Sequence, residues 1–193
     1  MIQYIKIVSR GGVFMVDRTK NHIVQSFNRL ISKMDFEQIT AIKIADEANI
    51  SKATFYRYFK DKYEVMNYNY KSLLDQLLQL ESCKDYRTLF YHLFYIAEKE
   101  WSYLRHAFST VGVNSFSNFI FEYSRMTVLT ITKMNRNGSG FTSTEELQID
   151  VFCNGISYMY MKWTFGKYHC SASEAADALF ELMPETLRYY WFL

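Results

Sequence analysis

The sequence predicts an all-α protein of about nine helices, and three observations carry that expectation. Proline occurs once and glycine seven times in 193 residues, too few breakers for the frequent turns of a sandwich or barrel. Apolar residues recur with the 3.6-residue period of buried helix faces. Capping signals, a Ser, Thr or Asp followed three residues later by Glu, stand at the head of several of those runs. With 49% hydrophobic and 22% charged residues, the chain can bury a core. Its length suits one large domain or two small ones.

Taken in order, residues 1–14 match no helical template. Met15 heads the periodic part, so residues 1–16 are expected to be a flexible extension, with Met15 as the natural start. The alternative is a short arm whose Lys6 and Arg10 add phosphate contacts. From Thr19 the pattern is helical, with Ile23, Phe27, Leu30, Ile31 and Met34 on one stripe. Thr40 is a plausible N-cap for a short helix over 41–48, and Ser51 for another over 52–59. Asp61 and Glu64 read as a capping box opening a long helix to about residue 80. Asp85 can cap a helix to about 99, and a shorter one over 103–109 ends near Gly112. Asn114 or Ser115 starts a helix to about 135, and Asn137-Gly138-Ser139-Gly140 is the clearest loop. Ser143 with Glu146 reads as the capping box of a helix that ends at Phe165, with Gly166 just beyond it. Ser171 and Glu174 start the last helix, which runs to the terminus with Pro184 as a kink or a break.

Several classes are disfavoured. No apolar run approaches the roughly 18 residues of a membrane-spanning helix, and the N-terminus lacks the pattern of a secretory signal. Cys83, Cys153 and Cys170 are an odd set at no metal-like spacing, which fits reduced thiols in the cytoplasm. His22, His92, His106 and His169 are scattered, so neither a metal nor a cofactor is expected. Cys83, beside Lys84, is a weak candidate for a redox sensor. No nucleophile elbow, phosphate loop or zinc-protease signature occurs, and an enzyme is not expected. The net charge of +2 is uneven: residues 1–66 carry +4 and the remainder −2. A basic front suits a polyanionic partner.

Residues 42–60, IKIADEANISKATFYRYFK, hold the most information. Two short helices with a tight turn need a small residue where they cross, which Ala45 supplies. The turn needs tolerance of positive φ, which Asn49 has. Ile44, Ala48, Ile50, Phe55 and Phe59 then form the buried side. At about 100° per residue, Ala53, Thr54 and Arg57 point away from it. Tyr56 and Tyr58 flank that outer face, and Ser51 and Lys52 sit at its helix start. The pattern is a helix-turn-helix with hydroxyls and cations on its second helix.

At Ile39-Thr40, Ile44-Ala45, Ala48-Asn49-Ile50-Ser51, Thr54-Phe55-Tyr56, Phe59 and Lys62, the sequence resembles the DNA-binding domain of the TetR family of bacterial transcriptional regulators. Asn49 stands where the family has glycine, and Ile50 where it has valine. The resemblance covers about residues 19–66. It implies a helix-turn-helix head over 17–66 and an effector-binding and dimerisation body over 67–193. It also implies that Thr40, Tyr56, Tyr58 and Lys62 bind phosphates of double-stranded DNA, while Ser51, Lys52 and Thr54 approach base edges. Ala53 lets the helix sit close to a thymine methyl, and Lys43 and Arg57 could serve either role. The alternative for Tyr56 and Tyr58 is plain surface padding.

Body residues from Asn114-Ser115-Phe116 to Ser173-Glu174 loosely resemble a Gram-positive subgroup that includes regulators of dihydroxyacetone kinase genes. The resemblance implies a homodimer on a palindromic operator, acting as a repressor released by a small-molecule effector. The helix from Asp61 to about 80 would act as the lever between head and body. Tyr91, Tyr95, Trp101, Phe116, Phe119, Tyr123 and Tyr158 are candidates for an effector pocket, or else ordinary core. Phe152, Ile156, Met159, Tyr160 and Trp163 form one helical stripe. Leu179, Phe180, Met183 and Leu187 form another, joined by Ala176. Both are candidates for a four-helix dimer interface, or else intrachain core. One rival function is a co-regulator whose body binds a partner protein; a second is an aromatic-pocket enzyme or carrier.

Overall fold

Caps and a few long-range polar contacts set the helices of the first part of the chain. A computed structural model describes residues 18–80, 83, 85–112, 115–136 and 139–188, without the side chains of residues 101 and 102. The expected extension at 1–16 and the Met15 start lie outside the described residues. Helix α1 (Arg18–Ile31) buries Ile23, Val24, Phe27 and Leu30; Met34, the end of the expected stripe, lies past its last turn. A 3-10 turn at Phe36–Gln38 follows. It seats Phe36 edge-on to Phe27 and Tyr63, with ring centroids 6.4 and 5.4 Å apart.

Thr40 begins α2 (Ala41–Glu47), its Oγ1 accepting from the Lys43 N–H at 3.2 Å. Asn49 then takes φ +50°, the left-handed conformation that asparagine tolerates best after glycine. The chain reverses there, and the Ile50 N–H bonds to the Ala45 carbonyl at 3.0 Å. Ser51 caps α3 (Lys52–Tyr58) by accepting from the Thr54 N–H at 3.0 Å. Ile50, expected in the core, is only half-buried, because it sits on the turn itself. Helix α4 (Lys62–Leu78) opens with Asp61 Oδ1 accepting from the Glu64 N–H at 2.8 Å. Glu64 sends its carboxylate to the Lys60 N–H at 2.6 Å, one residue earlier than a strict capping box.

The chain divides into two compact units after Gln76, later than the expected boundary at residue 66. Side chains beyond 66 belong to the head: Tyr68 meets Phe59 edge-on at 5.6 Å. Asn69 exchanges two amide hydrogen bonds with Asn28 of α1, at 3.2 and 3.0 Å.

The second unit holds α5 (Tyr86–Lys99), α6 (Trp101–Phe108), α7 (Phe116–Asn135), α8 (Ser143–Thr164), α9 (Ala172–Leu182) and α10 (Glu185–Arg188). Among the described residues there are ten helices and no strand. Pro184 breaks the last expected helix in two: Met183 is extended, with φ −63° and ψ 132°, as the residue before proline prefers. The capping box of α8 is Thr142 with Glu145, one residue before the expected Ser143 and Glu146. Both spacings exist in the sequence, and Glu145 also meets Arg136 at 3.0 Å. Gly166, at φ +69°, closes α8 in a Schellman motif, with Gly166 N–H on the Trp163 carbonyl at 2.8 Å and Lys167 N–H on that of Lys162 at 2.9 Å. Helix α5 packs against α9, and α7 against α8. Among the described residues, no helix is long and apolar enough to cross a membrane.

Candidate nucleic-acid interface

Helix α3 turns one face inward and the other to solvent. Phe55 and Phe59 are buried, with ring centroids 6.2 Å apart. Ser51, Lys52, Ala53, Tyr56 and Arg57 are exposed, and Thr54 and Tyr58 are half-buried. Two rings brace this outer face. Tyr56 stands edge-on to Phe55 at 5.4 Å, with the Lys52 ammonium 5.8 Å from its centroid. The Arg57 guanidinium lies 5.2 Å from the Tyr58 ring, within cation–π range. Ser51 Oγ contacts Thr54 Oγ1 at 2.9 Å besides capping the helix, which fixes both hydroxyls at the start of α3.

The preceding helix is held from behind. Arg29 of α1 pairs with Glu47 at 2.7 Å, and this hydrogen bond pulls the Glu47 carboxyl below its ordinary pKa. His22 reaches the Ala48 carbonyl at 3.0 Å. Thr40, Ile42 and Lys43 remain exposed on α2. These contacts join residues up to 26 positions apart, so they fix the angle at which the α2–α3 pair is presented.

Lys62, expected at a DNA phosphate, has a partner within the chain. Its Nζ donates to the Phe36 carbonyl at 2.7 Å. The same ammonium sits 4.3 Å from the Phe36 ring centroid and 5.5 Å from that of Tyr63. Burial lowers its pKa, partly opposed by the Glu37 charge. Lys62 is a strut between α4 and the Phe36 turn. The pattern concealed this because a lysine at a helix start reads equally as a phosphate ligand.

The expected effector residues do not form one cluster. Tyr91 and Tyr95 stack on each other at 6.0 Å on the solvent face of α5, and Tyr158 is exposed on α8. The Trp101 side chain lies outside the described residues. Phe116, Phe119 and Tyr123 do form a row along α7, with centroid separations of 5.6 and 6.0 Å. The expected dimer stripes are core: Phe152, Ile156, Tyr160, Trp163, Leu179, Met183 and Leu187 are buried within the chain, and Met159 and Phe180 are half-buried. Tyr160 donates to the Leu93 carbonyl at 3.1 Å, and the Trp163 indole to that of Cys170 at 3.1 Å, so these rings already have intrachain partners. Burial pushes the Cys83 thiol up to about 11, the opposite of what a redox sensor needs. Among the described residues, no group of three His, Cys, Asp or Glu side chains could hold a metal ion.

Residues 23–68 match the family of bacterial regulatory proteins, tetR family. No curated protein sequence matches the chain. Solved structures of similar fold include the dihydroxyacetone kinase operon activator DhaS, 14% identical, with a TM-score of 0.60 over 90% of this chain and 98% of that one. FadR from Thermus thermophilus, a TetR-family transcriptional repressor in complex with lauroyl-CoA, is 16% identical, with a TM-score of 0.55 over 85% and 92%. The fatty acid degradation regulator FadR from Bacillus halodurans is 14% identical, with a TM-score of 0.52 over 91% and 96%. At these identities the likeness is one of fold. The match over 23–68 takes in the braced α2–α3 pair, so this segment of the chain is similar to the DNA-binding head of the tetR family of bacterial regulatory proteins.

Proposed function

We propose that the chain is a cytoplasmic homodimeric repressor that leaves a palindromic operator when a small organic effector binds its body. The outer face of α3 carries this reading, with Lys52, Ala53, Tyr56 and Arg57 exposed together over buried Phe55 and Phe59. Ser51, Lys52, Ala53 and Thr54 read base edges in the major groove. Thr40, Lys43, Tyr56, Arg57 and Tyr58 hold phosphates on either side. Two-fold symmetry then sets two α3 helices in successive grooves, about 34–36 Å apart.

For the dimer seam we propose a stripe that the chain leaves uncovered. Leu147, Val151 and Tyr158 on α8 are 64%, 65% and 54% exposed, and their spacing puts them on one helix face. A row of large apolar side chains in water is characteristic of an interaction site. The effector site lies in residues 77–193, with the Phe116, Phe119 and Tyr123 row as its candidate wall. The Thermus neighbour is a repressor bound to lauroyl-CoA and DhaS an activator, so the sign of regulation rests on the reporter below, and an acyl thioester is the first effector to test.

The test is fluorescence anisotropy of the full chain against a randomised pool of short duplexes at a stated salt concentration. Selective binding that lauroyl-CoA or another small ligand weakens supports the proposal. Binding that is weak, unselective and abolished by moderate salt overturns it, and moves the function to a co-regulator that needs a protein partner. A reporter fused to the selected operator gives the sign: higher expression without the protein marks a repressor.

A further inference from the structure

We infer that two copies of the chain meet through antiparallel α8 helices whose backbones cross at Gly155. The inference rests on the dimer seam proposed on α8, and adds its register and its point of closest approach. Inside a helix, glycine is the costliest residue after proline. The described chain gives no reason for one here: a Cβ built on Gly155 would meet no atom within 4 Å outside its own turn. Gly155 follows Val151 by four residues and precedes Tyr158 by three, so it adjoins the exposed row of Leu147, Val151 and Tyr158. Those three lie within about 40° of one another round the helix, and Gly155 about 40° beyond Val151. A missing side chain beside an exposed apolar row leaves room for another backbone.

Charge points to a second copy as the occupant. Between residues 147 and 158 the exposed side chains of α8 are Leu147, Gln148, Val151, Asn154 and Tyr158, and none carries a formal charge. Asp150 is turned to Arg125 of α7 at 2.6 Å. The exposed faces of α5, α7 and α9 all carry charges, Lys99, Lys133 and Glu181 among them. A two-fold contact sets each residue close to its own copy, which favours a centre free of charge. Lys162 is the first cation beyond that centre, its Nζ 5.2 Å from the Tyr158 ring centroid. Parallel helices would bring the Lys162 side chains of both copies together; antiparallel ones keep them apart. With the axis between Asn154 and Gly155, Val151 falls beside Tyr158 of the partner subunit. Leu147 then lies along the aliphatic stem of Lys162 of the partner subunit, whose ammonium stays in water at the rim.

The experiment uses the full chain and measures dimerisation by sedimentation equilibrium. Gly155→Leu should weaken the dimer about tenfold or more, as overpacking of a close contact does. Gly155→Ala should weaken it as well, yet raise the melting temperature of the Val151→Glu monomer by about 2–4 °C, because alanine is the better helix former. Within one chain its Cβ meets nothing. Register is read by disulfide formation, which needs Cα atoms within about 7 Å. A Cys170→Ser background leaves only Cys83 and Cys153, both buried. At concentrations where both variants are dimeric, co-expressed Val151→Cys and Tyr158→Cys chains should join to each other, and neither should join to itself. A Gly155→Leu dimer as tight as wild type, or a mixed pair that forms no disulfide, overturns the crossing; the seam still stands if Val151→Glu is monomeric. A dimer that survives Val151→Glu overturns the seam and the crossing with it. A wild type that is monomeric throughout overturns the homodimer reading, and this contact falls too.

Discussion

Lys62→Met separates two roles for one ammonium group. The sequence expects Lys62 at a phosphate, whereas its Nζ lies 2.7 Å from the Phe36 carbonyl and 4.3 Å from the Phe36 ring centroid. Methionine keeps much of the stem and its apolar contact while removing charge and donor. A hydrogen bond from a charged donor contributes about 1.5–3 kcal/mol. The lower end applies here, because the side chain is half-buried and solvent screens it. The ring contact adds about 0.5 kcal/mol at such a site, so the head should lose about 2 kcal/mol.

Hydrogen exchange read by mass spectrometry gives this loss region by region. At about 1.4 kcal/mol per decade, protection in peptides from α1, α2 and α3 should fall about 30-fold, while peptides from α7 and α8 keep theirs. The same variant is then titrated on operator DNA. A phosphate ligand would take about 0.9 from the salt slope for each head; a strut leaves the slope unchanged. Intact protection with a reduced slope refutes the strut and returns Lys62 to the phosphate.

Three other outcomes are expected. Asn49→Ala should lower stability by about 1 kcal/mol in urea titrations, since alanine resists the left-handed φ of +50°, while Asn49→Gly should match or exceed wild type. Val151→Glu should halve the mass seen by light scattering, leaving a 23.0 kDa monomer with an unchanged helical spectrum, whereas Phe152→Glu should unfold the body. Glu145→Gln should lower the urea midpoint at pH 7 and lose that effect in acid. Hydrogen bonds from Thr142 and the Arg136 charge lower the folded pKa of Glu145. Its contribution is therefore complete above the unfolded carboxyl value of about 4.3 and disappears as pH falls through the folded one.

The short-range features were legible because each depends on residues within a turn or two. Thr40, Ser51, Asp85 and Ser171 cap helices as their spacing indicates, and Asn49 adopts the φ that the α2–α3 turn needs. The capping box of α8 slipped by one residue because Thr142–Glu145 and Ser143–Glu146 satisfy the same rule, and the Arg136 bridge favours the first. The outer face of α3 was legible for the same reason, since the burial of Phe55 and Phe59 dictates which residues point away. The intrachain contact of Lys62 was hidden because its partner, the Phe36 carbonyl, lies 26 residues earlier and is a backbone atom.

Helical periodicity says that a face is buried, but not by what. On α8 the larger stripe, Phe152 to Trp163, meets α5 and α6: Phe90 touches Phe152 at 6.2 Å, and Phe94 touches Trp163 at 5.1 Å. Phe108 meets Tyr160 at 5.5 Å. That stripe is used up within one chain. Leu147, Val151 and Tyr158, fewer and interrupted by Asn154, stay outside. A second copy can be held only by what the first leaves uncovered, so the weaker stripe is the informative one. A contiguous apolar row left over after folding is where a partner outside the chain can bind. Along the apolar row of α8 the proposed partner is a second subunit.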